Sequence, residues 1–515
     1  MHSMAVADLM KRWQVFLNPE RGGFMTTGTD EHGVKVEQAA KSVGRDTKEF
    51  VDETSQSFKI LADKAELDYD RFIRTTDKDH IEASQALWKI LQENGYIYQG
   101  THQGWYCVSD ETFYPETQIM RETVTKDGKE VEQMVSRETG KPVEWTSEVN
   151  YFFALSKLRD RLLEHIRSNK QFIVPEEKYR FVENEVAQGL SDLSISRPRS
   201  RCSWGVPVPG DEENQVMYVW LDALTNYLTS TGFPWKSEQA YLDSQWPADV
   251  HVVGKDILRF HTIYWPAFLL AAGIPVPKQV VVHSHWTIEG TKMSKSLGNV
   301  VDPIDTINKY GIDSVRYFLA NDSYLDHDTP FSNDRVQQRH NTDLVNRYGN
   351  LVVRICGPKF NINRSLAIDT DSIFENGQFS LPGIYDRHTA LVKQTNELLS
   401  NVSRFMSQYD SARALDQVWN LIKEANLFVQ DTAPWTYKSA DQVNLQDALI
   451  KDSAECARVA SIVLLPFLPL VANTMLDRLA VDKNKRSHQY AQYGADNSYG
   501  VSANRKGDYP IAGIE

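Results

Sequence analysis

Two lysines stand three residues apart in the octapeptide KMSKSLGN, which begins at Lys292. Small hydroxyl residues and a glycine accompany them, as is typical of a loop that can close over a ligand. The ammonium groups of Lys292 and Lys295 could neutralise the charge that develops on a departing pyrophosphate. The full octapeptide therefore indicates a phosphate-binding loop, whereas two lysines alone would more often belong to a solvated surface loop.

An acidic residue follows a predicted strand near the start of the chain. Residues 22–28 form a short apolar run bounded by glycines, which fits a buried parallel strand. Asp30 comes shortly after this run, in GTDEHG. Open α/β sheets bind ligands at the carboxyl ends of their strands, so Asp30 is a candidate partner for a cationic ligand group. The alternative is a turn whose acids cap the next helix.

The elements that must position these groups alternate between strand and helix. Apolar runs at 216–223, 248–254 and 278–286 predict strands, with helical patterns between them. This alternation predicts an α/β fold with a doubly wound, Rossmann-like parallel sheet. Alternating aromatic and β-branched residues after position 96 predict an antiparallel insert. Only helical patterns occur beyond position 335, which predicts an all-α bundle.

Composition restricts the class of function. The formal net charge is -13, so contact with a polyanion such as RNA would require local basic patches. The four cysteines lie far apart and form no Cys-x-x-Cys pair, which indicates reduced thiols and no structural zinc. No apolar run reaches the roughly 20 residues that span a bilayer, so we expect no membrane segment.

KMSKSLGN is similar to the second signature of class I aminoacyl-tRNA synthetases, the Lys-Met-Ser-Lys-Ser loop. Other segments resemble methionyl-tRNA synthetases in particular: GTDEHGVKVEQAA at 28–40, YVWLDALTNY at 218–227, GKDI at 254–257 and NRYGNLVVR at 346–354. The resemblance extends from residue 1 to about residue 480. It implies that ATP, with Mg²⁺, activates L-methionine to an adenylate and that tRNA(Met) then accepts the methionyl group.

The resemblance also implies roles for individual residues. Lys292 and Lys295 would be catalytic. The residues that would bind ATP are Gly254, Asp256, His283, Lys292, Ser294 and Lys295. The residues that would hold methionine are Asp30, Trp220, Ala223, Leu224, Tyr227, His261 and Trp265. The residues that would read the anticodon are Asn350, Arg354 and Trp435. No metal ligand is expected, because zinc-bearing relatives pair cysteines in the insert, where this chain has only Cys107.

The same resemblance divides the chain into segments. The catalytic α/β domain would comprise residues 1–95 and 171–287, with the connective insert at 96–170. Residues 288–334 would carry the lysine loop and a region that contacts the tRNA stem. A helical anticodon-binding domain would follow at 335–480, and then a C-terminal tail at 481–515.

In the family pattern the first signature, His-Ile-Gly-His, would lie before Met1 together with the first strand of the sheet. We therefore expect the sheet to lack that strand. We also expect residues 1–515 alone to form adenylate weakly or not at all, because the histidines of that signature hold the ATP phosphates. The family resemblance further favours a monomer in the mitochondrial matrix, or otherwise in the cytoplasm.

Two other functions stay open at this point. A class I synthetase for another apolar amino acid would share the lysine loop. The isoleucine and valine enzymes carry a large editing domain, however, and the insert here is small. A non-catalytic tRNA-binding protein would account for the absent first signature. Aminoacylation with each candidate amino acid decides the first alternative, and the genomic sequence upstream of Met1 decides the second.

Overall fold

The structure, a computed structural model, describes residues 1–107, 112–114, 116–126, 129–137, 139–288, 291–292, 301–375, 382–506 and 510–514. The chain forms two compact units. The helical unit comprises Met1–Met25, Leu61–Asp68 and His283–Glu515. The sheet unit comprises Thr26–Ile60 and Tyr69–Val282.

Strands are concentrated in the sheet unit, and helices occur in both units. The strands are β1 (Thr26–Thr29), β2 (Arg71–Arg74), β3 (Ile97–Cys107), β4 (Thr112–Tyr114), β5 (Ile119–Lys126), β6 (Lys129–Ser136), β7 (Glu144–Phe153), β8 (Ile173–Val174), β9 (Leu193–Ser194), β10 (Ser196–Pro198), β11 (Gln215–Met217), β12 (Val250–Gly254), β13 (Gln279–His283), β14 (Trp286–Ile288), β15 (Thr291–Lys292) and β16 (Thr329–Pro330). The α-helices are α1 (His2–Leu17), α2 (Val34–Ser42), α3 (Thr47–Lys64), α4 (Lys78–Glu93), α5 (Arg159–Ser168), α6 (Glu176–Gln188), α7 (Val219–Thr229), α8 (Glu238–Leu242), α9 (Trp265–Ala272), α10 (Pro303–Tyr310), α11 (Ile312–Asn321), α12 (Asn333–Arg339), α13 (Asn350–Ile355), α14 (Ile362–Ser365), α15 (Thr370–Glu375), α16 (Ile384–Met406), α17 (Ser411–Thr432), α18 (Val443–Leu464) and α19 (Pro469–Arg478). Two π-helices, Phe260–Tyr264 and His340–Gly349, precede α9 and α13.

Parallel pairing marks the core of the sheet unit. β1 pairs in parallel with β2, from Thr26 opposite Arg71 to Thr29 opposite Arg74. β13 pairs in parallel with β8 and also borders β12. Helices connect these strands, and α4, α7 and α9 bury their apolar faces in one shared core. The predicted α/β class is confirmed.

The predicted insert is antiparallel, as expected from its alternating pattern. β3 and β7 pair from Ile97 opposite Phe153 to Tyr106 opposite Glu144, and β5 and β6 form a separate hairpin. The insert has a small apolar core of its own, formed by Cys107, Tyr114, Ile119 and Val143. The insert thus has a core of its own at one end, whereas Ile97 and Phe153 at the other end of β3 and β7 pack in the large core of the sheet unit.

One predicted strand is mostly a helix. The apolar run at 216–223 predicts a strand, and this prediction is wrong, because β11 ends at Met217 and α7 begins at Val219. Leu221 and Leu224 are buried, and so is Asp222 between them. A short segment that is buried on all sides shows no alternation that would separate a strand from a helix.

The helical unit is organised around α18, nearly all of whose residues are buried. α13, α16, α17 and α19 pack against it. In α17 the buried positions Leu415, Val418, Ile422, Ala425 and Val429 recur every three or four residues, which gives one apolar face. The predicted helical bundle is confirmed. None of the helices in the described ranges is long and apolar enough to cross a membrane.

The C-terminal segment packs into this bundle through a buried ion pair. Arg458 and Glu455 of α18 are fully buried and share two hydrogen bonds, at 2.8 and 2.7 Å. Arg458 also donates to the carbonyl oxygens of Tyr490 and Gln492, at 2.6 and 2.7 Å. The hydroxyl group of Tyr499 donates to Glu455 at 2.7 Å. The segment after α19 is therefore part of the folded core.

Loss of the buried arginine should destabilise the helical unit. The substitution Arg458→Met leaves the Glu455 carboxylate buried without its partner, which should cost about 3–5 kcal/mol of unfolding free energy. Arg413 pairs with Asp410 at the same three-residue spacing near the surface, so Arg413→Met should cost far less. Urea unfolding followed by circular dichroism measures both losses. Equal losses would contradict the role assigned to the buried pair.

Candidate functional site

Asp30 follows β1 directly and is exposed, whereas the next two residues, Glu31 and His32, are buried. Within β1, a Cβ atom on Gly28 would lie only 1.8 Å from the carbonyl oxygen of Ile73 on β2. Only glycine permits this close approach of the two strands. The backbone after β1 therefore emerges at a defined point, with Asp30 facing outward and its neighbours facing the core.

Glu31 anchors one side of this turn. Its carboxylate accepts two hydrogen bonds from Arg74, at 2.8 and 2.9 Å, and one each from the hydroxyl groups of Thr29 and Thr76. The indole of Trp204 donates to the carbonyl oxygen of Glu31 at 2.7 Å. Charge-assisted, bidentate bonds of this kind fix the orientation of a carboxylate and of the backbone that carries it.

Asp222 of α7 anchors the other side. Asp222 is fully buried, and its two oxygens accept hydrogen bonds from Nδ1 of His32 and Nε2 of His80, each at 2.7 Å. Burial opposes the charged form, but the two imidazoles outweigh it and hold the pKa of Asp222 at about 2. Burial favours the neutral form of His32, but the negative charge of Asp222 outweighs this effect and raises the pKa of His32. The turn and α7 are thus joined by a buried, charge-assisted hydrogen bond.

A cluster of rings lies along α7 and the π-helix before α9. Trp220 stacks on Phe260 with the ring centroids 3.6 Å apart, and Tyr227 stacks on His251 at 4.1 Å. Trp265 lies 6.1 Å from Tyr227 and donates from its indole to Nε2 of His251 at 3.2 Å. Single π-helical turns inside helices are frequent at functional sites, and here such a turn supplies part of the ring cluster.

His261, within this cluster, is neutral and in one tautomer. Its Nδ1 lies 2.9 Å from the carbonyl oxygen of Ile257, which can only accept, so Nδ1 carries the proton. Burial lowers the pKa of His261 to about 4, so its Nε2 accepts a hydrogen bond from the Tyr227 hydroxyl group, at 2.7 Å. Burial also lowers the pKa of His251 to about 3. The cluster is therefore aromatic and uncharged near neutral pH.

The residues predicted to hold methionine all belong to the sheet unit: Asp30, Trp220, Ala223, Leu224, Tyr227, His261 and Trp265. The ring of Tyr227 contacts those of His261 and Trp265. Four of the seven residues, Trp220, Ala223, Leu224 and Tyr227, lie on α7. The turn that carries Asp30 is connected to α7 through the buried hydrogen bond between His32 and Asp222. One unit thus brings together an exposed carboxylate and an uncharged aromatic cluster.

The residues predicted to bind the nucleotide base and sugar follow two strand ends. Gly254 is buried at the end of β12, and Asp256 is exposed two residues later. His283 is buried at the end of β13 and donates from Nδ1 to the carbonyl oxygen of Ser284 at 2.8 Å. Strand ends are where open α/β sheets bind ligands, and the assignment of these residues to ATP binding stays a prediction.

The lysine loop is only partly described. The backbone of Lys292 belongs to β15, where it pairs with Thr287 of β14. Ser294 and Lys295 lie outside the described residues, together with the rest of KMSKSLGN after its first residue. The assignment of this loop to phosphate binding therefore continues to rest on the sequence.

The residues predicted to read the anticodon lie in the helical unit. Asn350 is exposed at the start of α13, and Arg354 follows one turn later on the same helix. Trp435 lies just after α17 and is 37% exposed. The guanidinium carbon of Arg354 is 5.6 Å from the centroid of the Trp435 ring. The structure thus brings together Arg354 and Trp435, which are 81 positions apart in the sequence. Asn350 lies one helical turn before Arg354.

The sequence patterns do not reveal the residues that hold the site together. Neither the His32–Asp222–His80 cluster nor Phe260, the stacking partner of Trp220, is predictable from a local motif. One signal was available, because an aspartate inside the apolar segment VWLDALTNYL must be paired if that segment is buried. No local pattern identifies the partners of this aspartate, since His80 lies 142 positions away.

Metal-binding side chains do not cluster in the part of the chain that the structure describes: no group of three or more His, Cys, Asp or Glu residues could hold an ion there. All four cysteines are buried free thiols. Cys107 lies in the apolar core of the insert. Burial in an apolar core is the ordinary environment of an unreactive cysteine.

Two family models match the chain. Residues 1–356 match the model described as tRNA synthetases class I (M). Residues 382–500 match the model described as the anticodon binding domain of methionyl tRNA ligase. The boundary between the two matches lies within the helical unit, before α16.

Individual relatives are similar over almost their whole length. The mitochondrial methionine–tRNA ligase of Candida albicans is 42% identical, with 98% of this chain and 91% of that protein covered. The mitochondrial methionine–tRNA ligase of Saccharomyces cerevisiae is 41% identical with the same coverage. The methionine–tRNA ligase of Rickettsia conorii is 40% identical, with 89% of this chain and 85% of that protein covered.

A solved structure is similar throughout as well. Mycobacterium tuberculosis methionyl-tRNA synthetase in complex with methionyl-adenylate superimposes with a TM-score of 0.84 at 37% identity, covering 99% of this chain and 95% of that one. The resemblance inferred from the motifs is therefore confirmed across both units. By its family models, its relatives and its fold, the chain belongs to the methionyl-tRNA synthetase family of class I tRNA synthetases.

Proposed function

We propose that this chain activates L-methionine with ATP and transfers the methionyl group to tRNA(Met). The observation that carries the proposal is the pairing of an exposed carboxylate, Asp30, with an uncharged aromatic cluster around Tyr227 in one compact unit. Methionine presents an ammonium group and a polarizable apolar side chain, which match these two features. The similarity to a synthetase solved with methionyl-adenylate supports the same chemistry here.

In the first step the methionine carboxylate attacks the α-phosphorus of ATP, which enters as its Mg²⁺ complex, and pyrophosphate departs. Asp30 accepts a hydrogen bond from the α-ammonium group and so orients the attacking carboxylate. Lys292 and Lys295 neutralise the charge on the departing pyrophosphate. The remaining contacts to ATP are assigned to Gly254, Asp256, His283 and Ser294.

The proposed pocket selects an amino acid by the size of its side chain and by the absence of charge on it. Trp220, Ala223, Leu224, Tyr227, His261 and Trp265 form its walls. Because His261 is neutral and already accepts the hydrogen bond of Tyr227, the pocket offers no ion-pair partner to a charged side chain. A neutral thioether is a weak acceptor and needs none.

In the second step the terminal ribose hydroxyl group of tRNA(Met) takes the methionyl group from the adenylate. Asn350 and Arg354 form hydrogen bonds with anticodon bases, and Trp435 stacks on one of them. The exposure of Asn350 and Trp435 and the proximity of Arg354 to the indole support this assignment. The basic and aromatic groups also explain how an acidic chain binds RNA locally.

We further propose that the protein acts in the mitochondrial matrix, as a monomer and without structural zinc. Relatives at 42% and 41% identity are named mitochondrial methionine–tRNA ligases. Burial of Cys107 within an apolar core supports a packing role for that thiol.

The choice of amino acid tests the function directly. Methionine should bind at least about tenfold more tightly than isoleucine, leucine or valine, because only an unbranched thioether fills the ring cluster. Any pyrophosphate exchange into ATP, which we expect to be weak in residues 1–515 alone, should show the same order. Isothermal titration and exchange assays with each amino acid provide the measurement. A preference for any of the other three amino acids would identify a different synthetase.

Removal of the proposed ammonium-binding group should weaken methionine binding alone. The substitution Asp30→Ala should raise the Kd for methionine about 10- to 100-fold, because a hydrogen bond to a charged group contributes about 1.5–3 kcal/mol. The Kd for ATP should stay unchanged. Glu82→Ala, which removes an exposed carboxylate from α4, is the matched control. A methionine Kd that is unchanged in Asp30→Ala would place the ammonium group elsewhere.

Anticodon recognition should be separable from activation. Arg354→Ala and Trp435→Ala should each raise the Kd for tRNA(Met) about 10- to 100-fold, since a stacked base contributes about 1–3 kcal/mol. Methionine binding should not change. Arg404 lies 4.5 Å over the ring of Phe405, so Arg404→Ala removes a comparable cation–π contact away from the proposed surface. Titration of each variant with labelled tRNA(Met) measures the Kd, and the control variant should bind like the wild type.

A further inference from the structure

A buried side-chain pair joins the turn that carries Asp30 to the helix that carries part of the ring cluster. His32, two residues after Asp30, donates from Nδ1 to Asp222 at 2.7 Å. Asp222 occupies the first turn of α7, between Trp220 and Ala223. The hydrogen bond therefore links the proposed ammonium-binding group to the part of α7 that lines the proposed side-chain pocket.

This link is rigid because its atoms are removed from water. His32 is 8% exposed and Asp222 is 0% exposed. A shift of the turn relative to α7 would leave a buried carboxylate with one partner fewer, which is strongly unfavourable. The ring of His32 also lies 5.7 Å from that of Trp204, whose indole donates to the carbonyl oxygen of Glu31. The imidazole is thus confined on both sides.

His80 provides an internal comparison. It donates to the other oxygen of Asp222 at the same distance, 2.7 Å, and it is fully buried. His80 belongs to α4, and its further contacts are with the hydroxyl groups of Thr229 and Ser84, at 3.0 and 3.2 Å. Both histidines therefore satisfy the same carboxylate. Only His32 is attached to the turn that carries the proposed ammonium-binding group.

We propose that His32 is a positioning residue that sets the distance between the Asp30 carboxylate and the ring cluster of α7. The inference rests on the proposed function. It adds that the site selects an amino acid by the distance from its ammonium group to the end of its side chain. With this link intact, an amino acid reaches both groups at once only if its length matches their separation. Without the link, the turn would hold the ammonium group in several positions and methionine binding would weaken.

Titration of the full chain with L-methionine separates positioning from stability. His32→Ala should raise the Kd for methionine about tenfold or more, while His80→Ala should change it by less than about threefold. Both substitutions should lower the thermal midpoint by similar amounts, because each removes one partner from Asp222. The Kd for ATP should stay unchanged in both variants.

A conservative replacement provides a rescue. Asparagine carries an amide nitrogen close to the position of Nδ1 in histidine, so His32→Asn should keep the methionine Kd within about threefold of the wild-type value. Glutamine carries its amide one methylene farther out, so His32→Gln should behave like His32→Ala. If His32→Ala does not fold, the comparison of His32→Asn with His32→Gln still tests the positioning role of His32.

Three results would overturn the inference. They are an unchanged methionine Kd in His32→Ala, an equal weakening in His32→Ala and His80→Ala, and equal Kd values for His32→Asn and His32→Gln. A wild-type chain that binds no methionine would instead overturn the proposed function, on which the inference rests. The wild-type titration thus distinguishes the two failures.

Discussion

A carboxylate taken out of water must be paired, and in the sheet unit this constraint acts on Asp222. Each of its oxygens receives one imidazole, from His32 after β1 and from His80 in α4. The pairing is complete only when all three segments meet, so the turn, α4 and α7 have one relative arrangement. The turn that carries Asp30 and the helix that carries Trp220 and Tyr227 are both joined to this pairing.

The helical unit uses the same physical principle for a different purpose. Glu455 and Arg458 are buried in α18, and the remaining hydrogen-bonding capacity of the pair is met by the segment that follows α19. Apolar contacts tolerate several arrangements of similar volume, whereas a buried charge is satisfied by few. We interpret both clusters as the contacts that specify which distant segments pack together.

The proposed site has a neutral part, the ring cluster, and charged parts, Asp30 and the lysine loop. Burial keeps His251 and His261 uncharged, with pKa values of about 3 and about 4. The proposed charged contacts are left to Asp30 at the strand end and to the lysines of KMSKSLGN. An amino acid with an ionic backbone and a neutral side chain is complementary to this division, since each of its parts meets an environment of matching polarity.

The sequence by itself determined the family, the α/β class, the antiparallel insert and the helical bundle, because motifs and hydrophobic periods are local properties of the chain. It also identified Asp30 and the pair Arg354 and Trp435 as candidates. Only the tertiary structure decided that residues 219–223 are helical and that Asp222 is paired with two histidines. Such contacts join positions far apart along the chain, and their partners are selected by packing and by the cost of burying charge, which no local pattern records.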